Sequence, residues 1–347
     1  MASASRFALS RQSAASARMW FLRALCAIAE GADVGVKPDA AAPECCLPAV
    51  VHDAQRRLCV MGGRAGMPRS LGSVYAGSVL RFLGGFRGLQ QHRTVSVLGL
   101  FNWQDVAVTR DGSMLLVSAY HQHCVYLVDA ATGDVTRTLG GGCGRSGHGP
   151  LQFNLPSVVC VSPDNFVFVA EYGNRRVQVL TPQLDFHGFV GVKHLHGPHG
   201  VCADTGVIAV SEITAGQIVL FSRRDGALLR RFGSPGRGAG QLACPLGLCF
   251  LGESGRIAVA NEDERISVFS FDGTFVCHVS DTALRFPVAI ACSAFGELVV
   301  ATKSGVVVVS AGGEVLDTIS TTKFTGVAVH GDSVFAVTRD GTCVVFA

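Results

Sequence analysis

Short apolar runs recur along most of this chain, and each is closed by Gly, Asn, Asp or Pro. Residues 158–191 show the pattern clearly, because VVCVSPDN, FVFVAEYGNRR, VQVLTPQ and LDFHGFVG follow one another there. Short apolar or alternating runs between turn residues are typical of β-strands. The pattern therefore predicts an all-β fold in which each unit contributes four antiparallel strands.

The units repeat at the spacing of propeller blades. Aligning the first strand of each unit places the unit starts at Pro48, Trp103, Pro156, Pro198, Pro245, Pro287 and Phe324, with spacings of 55, 53, 42, 47, 42 and 37 residues. Such periods indicate a β-propeller of four-stranded blades. Seven units are counted, or six if the first is not a true blade. We assign residues 31–347 to the propeller, with a degenerate first unit at 48–76 and clear repeats at 77–347.

The last unit ends at Ala347 after three predicted strands. An open ring would leave an unpaired strand edge, which favours aggregation. An N-terminal strand is therefore expected to close the ring. With seven blades this strand lies near 33–37, and with six it lies near 78–83.

Three segments resemble an NHL repeat. AEYGNRRVQVL at 170–180 is similar to its most recognisable stretch, and LGGGCGRSGHGPLQFNLP at 139–156 and FGSPGRGAGQLACPLGL at 232–248 are similar to the Gly-rich link between repeats. The resemblance covers residues 77–347 well and 48–76 more loosely. It implies a propeller of six blades as a rule. In larger relatives such propellers accompany RING and B-box modules and select substrates or bind RNA.

Composition narrows the functional classes. Apolar residues make up 48% and charged residues 16%, which is typical of a folded globular chain, and no apolar run is long enough for a membrane helix. None of the 13 cysteines has CxxC spacing, so no zinc ribbon, RING or other cofactor site is predicted, and the thiols are expected to be free under reducing conditions. Residues 1–76 hold nine basic and five acidic residues, so residues 77–347 hold 20 and 21. A balance of −1 does not favour nucleic acid as partner.

The N-terminal segment has a separate character. Residues 1–29 contain four Arg, five Ser and no acidic residue. That composition predicts a mitochondrial transit peptide over 1–30. A disordered tail on a cytoplasmic protein is the alternative, and a secretory signal fits less well because Arg23 interrupts the apolar stretch.

Antiparallel connectivity puts the second-to-third loops and the interblade links on one face of a propeller. These loops vary in length and chemistry, whereas the opposite face carries short DG and GG turns that are read as structural. We therefore predict a binding face on the variable loops. Its candidate residues are His121, His123, Arg145, His148, Tyr172, Arg175, Arg176, Lys193, His196 and His199.

An enzymatic alternative rests on the peptide-amidating lyase, an NHL-like propeller whose zinc is held by channel histidines. His199 directly follows a unit-start proline and resembles one such ligand. The equivalent positions are Ala49, Gln104, Ser157, Leu246, Val288 and Thr325, which supply no other histidine. No GxSxG, HExxH or phosphate-binding motif is present either. No catalytic residue and no metal ligand is therefore predicted.

These observations favour a non-enzymatic platform that holds a protein or peptide on the variable loops. A metal-dependent lyase, an RNA-binding module and a substrate adaptor for a separate ubiquitin ligase are the alternatives. The function follows here from fold analogy alone.

Overall fold

The computed structural model describes residues 86, 89–96, 102–141, 144–252, 254–294, 296–320 and 322–347. These residues form six four-stranded antiparallel sheets. We call the sheets blades 1 to 6 in chain order. The predictions for residues 1–30, 33–37 and 48–76 lie outside the described residues. Within the described part, no helix is long and apolar enough to cross a membrane.

The strands alternate with short turns and leave almost no helix. Blade 1 contains β2 (Trp103–Val108), β3 (Met114–Ala119), β4 (Cys124–Asp129) and β5 (Val135–Gly140), with a 3₁₀ turn at Tyr120–Gln122. Blade 2 contains β6 (Pro156–Val161), β7 (Val167–Glu171), β8 (Arg176–Leu180) and β9 (Phe186–Val190). Blade 3 contains β10 (Pro198–Ala203), β11 (Val207–Glu212), β12 (Gln217–Ser222) and β13 (Leu228–Phe232).

The second half repeats the arrangement. Blade 4 contains β14 (Pro245–Phe250), β15 (Arg256–Asn261), β16 (Arg265–Ser270) and β17 (Phe275–Ser280). Blade 5 contains β18 (Pro287–Cys292), β19 (Leu298–Thr302), β20 (Gly305–Val309) and β21 (Val315–Ser320). Blade 6 contains β22 (Gly326–His330), β23 (Ser333–Val337), β24 (Thr342–Phe346) and the N-terminal β1 (Gln91–Ser96).

The first strands of the six blades surround the central axis. Each of them contacts the first strand of the next blade, and β22 of blade 6 contacts β2 of blade 1. The ring therefore closes with six blades, so six is the correct count of the two considered. The predicted unit starts coincide with the first residue of the innermost strand in blades 1 to 5 and precede it by two residues in blade 6.

Ring closure comes from β1, which pairs with β24 as the outermost strand of blade 6. The principle of an N-terminal closing strand is confirmed, but its position near 78–83 is wrong. The strand QHRTVS is mostly polar and exposed. An outermost strand is exposed to solvent and needs no continuous apolar pattern. The hydrophobic pattern of the sequence therefore did not reveal β1. Arg93 strengthens the closure by donating to the carbonyl oxygens of Ala130 at 2.6 Å and Ala131 at 3.2 Å.

The core lies between neighbouring blades. The second and third strands of each blade are almost fully buried, whereas the outermost strands are mostly half-buried or exposed. Trp103, Phe168 and Phe269 are among the largest side chains that are wholly inaccessible to solvent. Seven of the eight described cysteines are free thiols, namely Cys160, Cys202, Cys244, Cys249, Cys277, Cys292 and Cys343. Burial raises the pKa of Cys160 and of Cys343 to about 12, so these thiols are protonated at neutral pH.

Glycine at the third position of a unit lets the innermost strands approach one another. A Cβ on Gly200 would overlap the carbonyl oxygen of Leu246 in blade 4. A Cβ on Gly247 would lie 2.8 Å from the Cα of Ala289, and one on Gly326 would lie 2.5 Å from the Cα of Asp105. These contacts are with backbone atoms, which cannot move aside as a flexible side chain can.

We therefore expect Gly200→Ala to lower the free energy of unfolding by about 1–3 kcal/mol, because the added methyl overpacks a rigid interface. Denaturant unfolding followed by circular dichroism measures the effect. The matched control is Gly206→Ala in the same blade, where the new Cβ meets only one side-chain atom, at 3.8 Å. Equal stability of the two variants would contradict the close-approach argument.

Candidate functional site

The variable loops do emerge together on one end of the antiparallel blades. On blades 1 to 3 they comprise residues 120–123, 144–155, 172–175, 191–197 and 213–216, and we call this surface the loop face. It holds eight of the ten residues predicted from the sequence. The other two lie within strands: Arg176 is the first residue of β8, and His199 is the second residue of β10, beside the central axis.

An aromatic cluster joins blades 1 and 2 on the loop face. The rings of Tyr120 and His121 meet edge to face with centroids 5.0 Å apart, and the rings of Tyr120 and Tyr172 lie 6.4 Å apart. Both tyrosines are half-buried, and His121 is exposed. Desolvation, with the nearby Tyr172, raises the pKa of Tyr120, so its hydroxyl remains neutral and available for hydrogen bonds.

Tyr120 was missed by the sequence analysis, although Tyr172 was included. Each tyrosine is the first residue after the second strand of its blade. The equivalent residues of blades 3, 4 and 5 are Ile213, Glu262 and Lys303. Comparing this position between units would have identified both rings.

His123 has a structural role in the same loop. It adopts a left-handed conformation with φ of 54°, and its Nδ1 accepts a hydrogen bond from the backbone N–H of Leu155 at 3.0 Å. Desolvation, together with the nearby His121, lowers its pKa. A neutral imidazole is the form that can accept this bond, so His123 ties the loop of blade 1 to the link that enters blade 2.

A buried polar network supports the loop face from below. The Nε of Arg176 donates to Oε1 of Glu171 at 2.7 Å, and its Nη1 donates to the carbonyl oxygen of His148 at 2.8 Å. The Nδ2 of Asn174 donates to the carbonyl oxygen of Gly147 at 2.8 Å and also to Glu171. The Arg176 guanidinium lies 3.6 Å above the ring centre of Phe189.

This network fixes the link 144–155 against blade 2. Glu171 is inaccessible to solvent, and Arg176 is 7% exposed. Burial raises the pKa of Glu171, while the guanidinium of Arg176 acts in the opposite direction. The interactions of Arg176 are thus internal, and it acts on the predicted binding face by positioning its neighbours.

Glu212 does the same for the link into blade 3. Its carboxylate accepts hydrogen bonds from the backbone N–H groups of His196 and Gly197, both at 3.0 Å. The His196 ring itself projects outward, with its side chain 68% exposed and its Nδ1 3.7 Å from Oε2 of Glu212. His196 is therefore available to a partner while its backbone is held in place.

The ring of His199 lies in a less solvated environment than that of His196. Its Nδ1 is buried and has no hydrogen-bond partner among the described residues. Desolvation lowers its pKa to about 4, so the ring is neutral at physiological pH. In the part of the chain that the structure describes, no group of three or more His, Cys, Asp or Glu side chains is arranged to hold a metal ion.

The loop face is positively charged. Arg145, Arg175 and Lys193 are exposed on it, and its five segments contain no Asp or Glu. The charge changes at blade 4, where residues 262–264 are all acidic.

No protein-family model and no curated protein matches this chain.

Asp105 is a further group that the sequence analysis did not single out. It stands at the third position of its unit, where blades 3, 4 and 6 have glycine, and it is 5% exposed. Burial raises its pKa to about 8, although backbone N–H groups of Val106, Val159 and Val327 bond the carboxyl group. Asp105 therefore links the innermost strands of blades 2 and 6 through blade 1.

Proposed function

We propose that this chain is a non-enzymatic binding platform whose loop face holds an acidic segment of a partner protein. The aromatic cluster carries the proposal. Tyrosine rings that are half-buried and held rigidly are typical anchors of protein interfaces, because they bury much apolar area at little entropic cost. The buried network of Glu171 and Arg176 supplies the rigidity.

Charge defines the partner. Arg145, Arg175 and Lys193 are exposed on the same loop face as the cluster, and the loops of this face on blades 1 to 3 carry no exposed carboxylate. A partner segment with Asp or Glu beside an aromatic or aliphatic residue complements this surface. Complementary charge raises the association rate and rejects basic partners.

We further propose that the six blades are of the NHL type and that the protein acts in the mitochondrion. The similarity of residues 139–156, 170–180 and 232–248 to NHL segments supports the first proposal. The Arg- and Ser-rich composition of residues 1–29 supports the second.

Selection from a random peptide display library on the full-length chain tests the platform. We expect enriched peptides that combine acidic residues with an apolar anchor. Tyr120→Ala and Tyr172→Ala should each weaken the selected peptide about 30-fold, which corresponds to about 2 kcal/mol at an interface anchor. Lys193→Glu should also weaken binding of the selected peptide. The loss of affinity should be larger at low salt than at high salt, because salt screens exposed charges.

Two controls share the same end of the propeller. Phe286→Ala removes a ring that is 40% exposed on blade 5, and Arg237→Glu reverses an exposed charge on blade 4. Neither should change peptide affinity. Basic peptides, or tight binding of single-stranded RNA without any peptide selection, would show that the proposed partner class is wrong.

A further inference from the structure

We propose that a groove between blades 2 and 3, on the end opposite the loop face, binds a small amphipathic carboxylate. This site is separate from the proposed platform. Its volume is about 460 Å³, within the range of roughly 300–1,000 Å³ typical of small-molecule sites. Its walls are β9 on one side and the turn 223–226 between β12 and β13 on the other.

The groove exists because one residue of the outer strand β9 is a glycine and has no side chain. Gly188 of β9 pairs with Val179, and a Cβ built on it meets no atom within 4 Å. The residues at the same register in blades 1, 3, 4 and 5 are Arg137, Arg230, Cys277 and Asp317. In blade 1, Arg137 crosses to the next blade and donates to the carbonyl oxygen of Gln183 at 3.4 Å. The equivalent space beside blade 2 is left open.

The interior of the groove is apolar. Phe168, Val179 and Ile208 form its buried floor. Phe166 also lines the groove, and its ring meets that of His187 edge to face at 5.2 Å. A hydrocarbon chain or an aryl ring placed here loses its contact with water, which is the main source of affinity for an apolar body.

The charged groups at the groove differ in whether their hydrogen-bond donors or acceptors are already used within the protein. Arg223 is occupied, because it donates to Asp164 and to the carbonyl oxygen of Asp204, each at 2.5 Å. Asp225 already accepts from the N–H of Ala227 at 3.1 Å. Arg224 is exposed and forms no ion pair within 4 Å among the described residues. Asp225 is exposed and ionised beside Arg224, so the guanidinium of Arg224 is distinguished by its unused N–H donors and not by an excess of positive charge.

These features together define the ligand. The apolar body enters between the blades, and a carboxylate remains at the mouth, where Arg224 donates to it and His187 is close by. These turns were predicted to be structural only, because their short DG form is typical of tight connections. The vacancy at Gly188 appears only when blades 2 and 3 are packed together.

Isothermal titration calorimetry of the full-length chain with octanoate, octanol and octylammonium tests the site. We expect octanoate to bind at least tenfold more tightly than octylammonium, with octanol between them. Arg224→Glu should reverse the order of the two ions, whereas Arg237→Glu on blade 4 should leave it unchanged. Equal affinity for the two ions, or no binding of octanoate, would overturn the proposal.

A second variant tests the position of the ligand. Gly188→Leu fills the groove without backbone strain, so octanoate binding should fall at least tenfold while the melting temperature is maintained. Gly312→Leu, on an exposed turn of blade 5, is the matched control and should bind octanoate normally. Unchanged affinity in a folded Gly188→Leu variant would place the ligand elsewhere. The peptide selection on the loop face is independent of either outcome.

Discussion

Glu171→Gln is expected to lower the free energy of unfolding by about 3–5 kcal/mol, because it leaves the Arg176 guanidinium buried without its counter-ion. The substitution also weakens acceptance of hydrogen bonds from Asn174 and from the backbone N–H of Asn154, which lies 3.2 Å from Oε2 of Glu171. Guanidinium chloride unfolding followed by circular dichroism measures the loss.

A double variant separates the ion pair from the rest of the network. Replacing both Glu171 and Arg176 by Met removes both buried charges, and we expect it to recover more than half of the stability lost in Glu171→Gln. Glu264→Gln, on an exposed loop of blade 4, should change stability by less than about 0.5 kcal/mol. If the double variant were no more stable than Glu171→Gln, an unpaired charge would not be the cause.

The same network connects stability to binding. Because Arg176 holds the backbone of His148 and Asn174 holds that of Gly147, the link 144–155 depends on Glu171 for its position. Arg145 lies on this link, and Tyr172 directly follows Glu171. A folded Glu171→Gln variant should therefore also bind the selected peptide more weakly than the wild-type chain.

Asp105→Asn is expected to make the protein more stable at pH 8 than the wild-type chain, with a smaller difference at pH 5. The folded pKa of Asp105 is about 8, against 3.8 as its ordinary value. A protonated Asp105 therefore contributes stability that is complete below pH 4 and is lost as the pH rises through 8. The slope is at most about 1.4 kcal/mol per pH unit in that window.

Melting temperatures of both proteins between pH 5 and pH 8 measure this difference. Asparagine keeps an oxygen to accept a backbone N–H and carries no charge at any of these values. Asp332→Asn, on an exposed turn of blade 6, should follow the wild-type profile throughout. Parallel profiles for Asp105→Asn and the wild-type chain would show that Asp105 is ionised in the folded protein at pH 5.

The periodicity of the sequence was sufficient to locate the blades. Each innermost strand must be apolar on both sides and must start at a turn, so Pro156, Pro198, Pro245 and Pro287 mark its first residue reliably. The closing strand carries no such signal. Its residues pair with β24 through backbone hydrogen bonds, and most of its side chains face water.

The candidate site was only partly predictable. Loop position alone identified Tyr172, Arg175 and Lys193, because antiparallel connectivity decides which loops share an end of the propeller. It could not separate Arg176, which is turned inward to Glu171, from its exposed neighbour Arg175.

The sequence by itself determined the all-β class, the blade boundaries and the end of the propeller on which the variable loops meet. These follow from local patterns of apolar residues and turns, which each blade satisfies on its own. Only the tertiary structure decided the count of six, the meeting of Tyr120 with Tyr172, and the groove beside Gly188. Each of these depends on contacts between blades, and such contacts have no counterpart in the order of residues within one repeat.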